Sequence, residues 1–298
     1  PNVMLLMDNS GSMENIIWHD EFNPAGNYGA WRYRNGSGGY TNLNEDSTYY
    51  PSNFDQGSCS NGFDRFRLGA SVPYTYKCLK LPAPNGAGDT RYLGRYVRFL
   101  LDKFPSGTDL TTGLIPNEYR MQVARDVAKD LVSNTPGVRF GLARFNDNEG
   151  GKVIAGCDTD TSGLAATIDG LKAETWTPLA EAYYEVTRYF RGLSSHYNSK
   201  TNYTSPIQYR CQKNFTIVVT DGLPTYDASF PNNDPADSAD SNRSVPNWDG
   251  VDNDGPRLGG SAEGDSLYLD DIAKFAWDID FKTSGTDNAG GSYEDEKY

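Results

Sequence analysis

Asp8, Ser10 and Ser12 crowd one short turn near the start of the chain, in Asp8-Asn9-Ser10-Gly11-Ser12. One carboxylate and two hydroxyls at that spacing are hard oxygen donors, suited to Mg²⁺, Mn²⁺ or Ca²⁺ and not to soft metals. Gly11 gives the backbone freedom to bend the turn. Two later segments offer matching groups: Thr177 in Thr175-Trp176-Thr177-Pro178, and Asp221 in Thr220-Asp221-Gly222. Each has an ordinary alternative, because Asp, Ser and Thr cap helices well and Asp suits turns. Asp249, Asp252 and Asp254 lie in a further acidic stretch, read either as a second calcium site or as a solvated loop. The EF-hand pattern fails there, since register on Gly255 puts Gly250 at the first ligand position. His19 and His196 sit in polar loops and read as surface residues.

The elements that must position these groups are legible from periodicity. Val3-Met4-Leu5-Leu6-Met7 is an unbroken apolar run, the pattern of a strand buried on both faces. The same reading makes Asn214–Val219, with its Phe-Thr-Ile-Val-Val run, a second buried strand. Val138–Phe145 and Lys152–Cys157 are strands joined as a hairpin through Asn146–Gly151. Helices are expected over Leu93–Phe104, from Glu118 to the Asn134-Thr135-Pro136-Gly137 stop, over Ser162–Leu171, over Leu179–Phe190 and over Ser266–Asp280. Pro178 stands at the first turn of the fourth of these, where proline is favoured. Strands alternating with helices predict an α/β, doubly wound and mostly parallel sheet with large loop insertions. In such sheets ligands gather at the carboxyl ends of the strands, where Asp8 and Asp221 fall. The chain of 298 residues is expected to be one domain, 1–298, with insertions at about 18–116 and 223–265. A structureless loop as long as the first insertion is implausible in a compact domain, and its aromatics and cysteines argue that it folds.

A net charge of −13 argues against nucleic acid or an anionic membrane as the main partner. No apolar run is long enough for a transmembrane helix, and no signal peptide is visible. The chain opens on a core strand and is expected to be a portion of a larger protein. Cys59, Cys78, Cys157 and Cys211 show no C-x-x-C spacing, which weakens a zinc reading. Their even number suggests disulfides in an oxidising compartment. Of the three pairings, Cys59–Cys78 with Cys157–Cys211 closes the shortest loops.

The ordered set of strand–D-x-S-x-S, Thr-Pro before a helix, and strand–Thr-Asp-Gly resembles the von Willebrand factor A domain and its metal-ion-dependent adhesion site. The resemblance implies hydroxyl ligands from Ser10, Ser12 and Thr177, with Asp8 and Asp221 acting directly or through water. Two carboxylates leave a divalent cation residual charge and an open position that a partner's acidic group can complete. Mg²⁺ is the first expectation, Mn²⁺ or Ca²⁺ the alternatives, with an additional Ca²⁺ in the 249–255 stretch. Thr177-Pro178-Leu179-Ala180-Glu181-Ala182-Tyr183-Tyr184 and Tyr268-Leu269-Asp270-Asp271-Ile272-Ala273-Lys274-Phe275 look like the PilC/PilY family of type IV pilus tip adhesins and biogenesis factors of Gram-negative bacteria. Membership implies secretion through the periplasm and outer membrane to the pilus tip or cell surface, disulfides, and a C-terminal β-propeller outside this chain. It also implies six strands where four are assigned, and partners among minor pilins and host-cell or surface ligands. Trp176 stands where A domains more often carry glycine.

The expectation is therefore a metal-dependent adhesion or assembly module and not an enzyme. The alternative is a structural pilus-assembly component whose metal only stabilises the fold. An aspartyl-nucleophile enzyme prefers a second carboxylate two residues after the first, where Ser10 stands, and neither G-x-S-x-G nor a P-loop is present.

Overall fold

The structure, a computed structural model, describes residues 1–147, 149–199, 201–231, 234–236, 245, 247, 248, 251 and 268–295. The chain divides into two compact units: Pro1–Gly11 with Ala124–Tyr298, and Ser12–Val123. The first strand, β1 (Asn2–Met7), is buried at every residue. An apolar run of that kind has no polar face to offer water, and here both faces are covered.

The second unit contains the expected 18–116 segment and carries its own sheet and core. Its strands are β2 (Trp31–Arg34), β3 (Tyr40–Asn42), β4 (Thr48–Tyr49), β5 (Asp64–Leu68), β6 (Thr75–Lys80), β7 (Tyr92–Leu93) and β8 (Thr108–Asp109), with the helix α1 (Gly94–Lys103) between β7 and β8. Five of them form a sheet in the order β3-β2-β5-β6-β8, and β4 pairs with β7. Trp31, Phe66 and Leu79 on one sheet face pack with Tyr96, Val97, Leu100 and Leu101 of α1. Lys77 donates to the carbonyls of Leu101 and Phe104, satisfying the end of α1 with a cation where the helix dipole favours one. The disulfide Cys59–Cys78 ties the segment before β5 to β6. The unit's two ends run against each other: Ile16 bridges Tyr119 antiparallel, Ile17 N donates to Glu118 O and Arg120 N to Asn15 O.

Helix α2 (Arg120–Asn134) starts at the end of the second unit and continues in the first, where β9 (Arg139–Phe145), β10 (Gly151–Ala155), α3 (Thr161–Asp169), α4 (Leu179–Arg191), β11 (Asn214–Val219) and α5 (Leu269–Asp278) follow. Four strands form a mostly parallel sheet in the order β10-β9-β1-β11, with only the β9–β10 hairpin antiparallel. The fold is thus mixed α/β. Met4 and Leu6 of β1 and Ala143 and Phe145 of β9 share a core with Leu179, Ala182, Val186 and Phe190 of α4. Helix α3 packs on β9 and β10, and α5 packs on α4.

Two expectations are corrected here. β11 is an edge strand among the described residues, and Phe215 and Ile217 are 54% and 39% exposed. An apolar run shows that a strand is apolar, not how many neighbours it has. Cys157 and Cys211 do not pair: Cys157 is a buried thiol in the α4 core and Cys211 an exposed one. Burial pushes the Cys157 thiol up to about 11, so it stays protonated and packs as a small apolar side chain.

The β9–β10 hairpin turns on Gly150, whose φ of +73° favours glycine, with Asn146 N donating to Gly150 O. A Cβ there would lie 2.0 Å from the Tyr197 ring. Gly150→Ala should therefore lower the unfolding free energy by about 1–3 kcal/mol. An unchanged urea midpoint for that variant would show that the turn and ring are not packed this way.

Candidate metal centre

β1 and β11 run parallel in register, Met7 beside Val219, so the residues after each strand emerge together. Asp8 continues the ladder, its N–H donating to Val219 O at 2.8 Å. Its side chain is fully buried. Oδ1 accepts from Ser10 N at 2.7 Å, and Oδ2 accepts from Thr220 Oγ1 at 2.7 Å with Asp221 N at 3.5 Å. Burial raises the Asp8 carboxyl above its ordinary range, the hydrogen bonds from Ser10 and Thr220 pull it back, and the charge of Asp221 raises it further. Two neighbouring carboxylates without a cation repel each other, and a cation beside them relieves both effects.

The third segment joins through Asn9 and Ser10. Asn9 O accepts from Glu174 N, Thr175 N and Thr175 Oγ1, and Gly11 N donates to Thr175 O at 3.0 Å, so Ser10 and Thr175 form a parallel bridge. Asn9 Oδ1 accepts from Phe145 N at 2.8 Å, drawing in the end of β9 as well. Thr177 is buried two residues beyond that bridge. Its N–H donates to Thr225 Oγ1, and its carbonyl accepts from Thr225 N. The structure thus brings Asp8, Ser10 and the Asp221 turn into direct contact, and ties Thr177 to the same loops through its backbone. Ser12 opens the second unit, where its carbonyl accepts from Asn15 N and Nδ2. Asp249, Asp252 and Asp254 lie outside the described residues.

Residues that sequence reasoning passed over hold this arrangement. Asn9 was only the variable position of D-x-S-x-S, yet it contacts two other segments. Asp227 accepts from Ala180 N and Glu181 N, capping α4 from a distant loop because Pro178 has no side-chain acceptor for its own helix. Glu181, wholly buried, accepts from Gly150 N and Ser229 N, both at 2.6 Å. Trp176, 49% exposed, lies against Tyr226 with centroids 4.7 Å apart, and Tyr226 holds a φ of +54° that side chains other than glycine rarely adopt. No sequence signal marks these partners, since each acts on backbone far away in the chain.

No protein-family model, curated protein or solved structure matches the chain. The oxygens of Asp8, Ser10, Thr177 and Asp221, two carboxylates and two hydroxyls, are of the type a hard divalent cation takes. The described residues also place possible donors of His19, Asp20 and Glu21 within 4.8 Å of one another in the second unit. There Asp20 pairs with His19 and Glu21 with Lys103, so the protein already answers both carboxylates.

Two measurements test the supports. Asp227→Ala removes the acceptor of two buried N–H groups and should lower stability by about 1–3 kcal/mol in urea unfolding; no loss would refute its role as the α4 cap. Burial and the Asp227 charge raise Glu181 from 4.5 to about 8, against the pull of its two N–H donors. The folded state then holds a proton that the unfolded state has released, so stability from this group is full below pH 4.5 and is lost as pH rises towards 8. Relative to Glu181→Gln, the wild type should lose thermal stability between pH 5 and pH 8.5. Parallel melting profiles for the two proteins would contradict this.

Proposed function

We propose that the chain is a metal-dependent adhesion module, in which Asp8, Ser10, Thr177 and Asp221 hold a divalent cation, Mg²⁺ foremost, that a partner's acidic group completes. The observation that carries this reading is the meeting of three distant segments at Asp8: its own turn, Thr175–Thr177 through Asn9 and Ser10, and Thr220–Asp221. The finer reading, a doubly wound von Willebrand A-type sheet at a secreted type IV pilus tip, rests on the sequence resemblance. In this reading the cation would supply a Lewis-acidic position for a carboxylate. Asp8 offers buried charge, Ser10 and Thr177 offer neutral oxygens that do not cancel the ion's charge, and Asn9 sets the turn. Trp176, Tyr226 and the 63%-exposed Leu223 would offer a partner apolar surface beside the site.

The complete burial of Asp8 and its several donors also suit the second reading, a structural component whose ion only stabilises the fold. Melting curves in EDTA and then in Mg²⁺, Mn²⁺ or Ca²⁺ test the cation itself. Ion at a hundred times its Kd should add about 2.7 kcal/mol of stability, and Asp221→Ala should abolish that gain while remaining folded. Absence of any shift with all three ions would defeat both readings. Retention on an immobilised peptide bearing an aspartate, lost in EDTA, would support adhesion; a metal-dependent melting shift with no retention would favour the structural role.

A further inference from the structure

The outer face of the five-stranded sheet in the second unit runs against the charge of the chain. Lys and Arg number 27 against 40 Asp and Glu overall, yet the two central strands present Arg32, Arg34, Arg65 and Arg67 on one side. The alternation follows from register. Tyr33 and Phe66 face the α1 core, Arg32 lies directly opposite Arg67, and Arg34 and Arg65 follow one step along the same strands. Like charges directly opposed across a ladder are destabilising. Neighbouring strands are about 4.8 Å apart and alternate residues about 7 Å, so the four guanidinium-bearing positions crowd a small rectangle.

Among the described residues an acidic side chain answers only one of the four. Arg34 pairs with Asp55, while Arg32, Arg65 and Arg67 have no ion pair among the described residues. Tyrosines hold the cations instead. The Arg65 guanidinium lies 4.2 Å from the centre of the Tyr76 ring, and that of Arg67 lies 4.6 Å from Tyr40 and 4.3 Å from Tyr74. Arg67 Nε and Tyr40 Oη are buried with no hydrogen-bond partner among the described residues. The terminal N–H groups of a guanidinium laid on a ring still form a fork that matches carboxylate, sulfate or phosphate oxygens.

The kind of anion follows from the shape of the surface. β2 and β5 are hydrogen-bonded on both sides, within β3-β2-β5-β6, so the arginine-bearing pair itself offers no backbone edge to which a peptide could add as a strand. The rings are engaged by guanidinium groups and are not free platforms for stacked bases. A sheet face of guanidinium donors beside the part-exposed Tyr74 and Tyr76 suits a stiff polymer with spaced anionic groups.

We propose that this face of the second unit binds an acidic polysaccharide, its carboxylate or sulfate groups taken by Arg32, Arg65 and Arg67. The contact does not need a cation.

The test uses the full chain in EDTA on immobilised heparin, which carries sulfate and carboxylate, and on polygalacturonate, which carries carboxylate alone. Dextran, single-stranded DNA and poly-glutamate serve as comparisons. Salt-sensitive retention on at least one of the two acidic polysaccharides, and not on the comparisons, is expected, and the arm that retains the protein identifies the anion. Arg32→Gln, which removes no ring contact seen here, should weaken binding about tenfold at an unchanged melting temperature, and Arg67→Lys should weaken it by keeping charge without the fork. The proposal is overturned by no retention on either polysaccharide, by undiminished binding of folded Arg32→Gln, or by DNA or poly-glutamate binding as tightly.

Discussion

A carboxylate removed from water must be answered by donors, and the first unit is arranged around the answer given to Asp8. Its two oxygens collect hydrogen bonds from the turn that follows β1 and from the turn that follows β11. The parallel register of the two strands makes this possible, because only strands that end level can deliver both turns to one side chain. Asn9 then extends the same junction to β9 and to the segment ahead of α4. The apolar sheet sets the height of the strand ends, and the polar junction sets the direction of the loops that leave them.

The start of α4 shows the same economy in a second form. A proline at the cap position leaves the helix short of an acceptor, and Asp227 supplies it from the loop after β11. Glu181, in the first turn of the helix, reaches both that loop and the β9–β10 hairpin. Further along, Asp234 accepts a two-pronged ion pair from Arg191 and a hydrogen bond from Tyr184. Helix α4 is thus a spine whose acidic contacts fix loops that have little regular structure of their own. Buried acids of this kind are costly unless fully partnered, so the loops and the helix must order together.

What could be read from the sequence was whatever is periodic over several residues. β1, β9, β10 and β11 stand close to their expected spans, as do α1 to α4, because each repeats apolar residues at a strand or helix period. The expectation failed where the outcome depends on a neighbour. Phe215 and Ile217 belong to as apolar a run as β1, but only pairing distinguishes an edge strand from a central one. Cys157 and Cys211 were matched by loop length, while packing placed one thiol in the core and left the other outside. The sheet of the second unit escaped notice because its strands are short and alternate arginine and tyrosine with the residues that face α1. At the candidate centre, Asp8, Ser10, Thr177 and Asp221 were visible as residue types in order, whereas Asn9, Thr225 and Asp227 act through backbone groups that no local pattern encodes.

The zipped ends of the second unit bear on how such a chain can be assembled. Residues 15–17 lie against 118–120, so the unit begins and ends at nearly the same place. For the first unit, the entropy of connecting Gly11 to Ala124 is then that of a short linkage, however many residues lie between. A folded unit with adjoining ends can be exchanged, enlarged or lost without stretching the strands that flank it. The turn that carries Asp8 and Ser10 can therefore keep its geometry while the chain beyond Ser12 changes its chemistry.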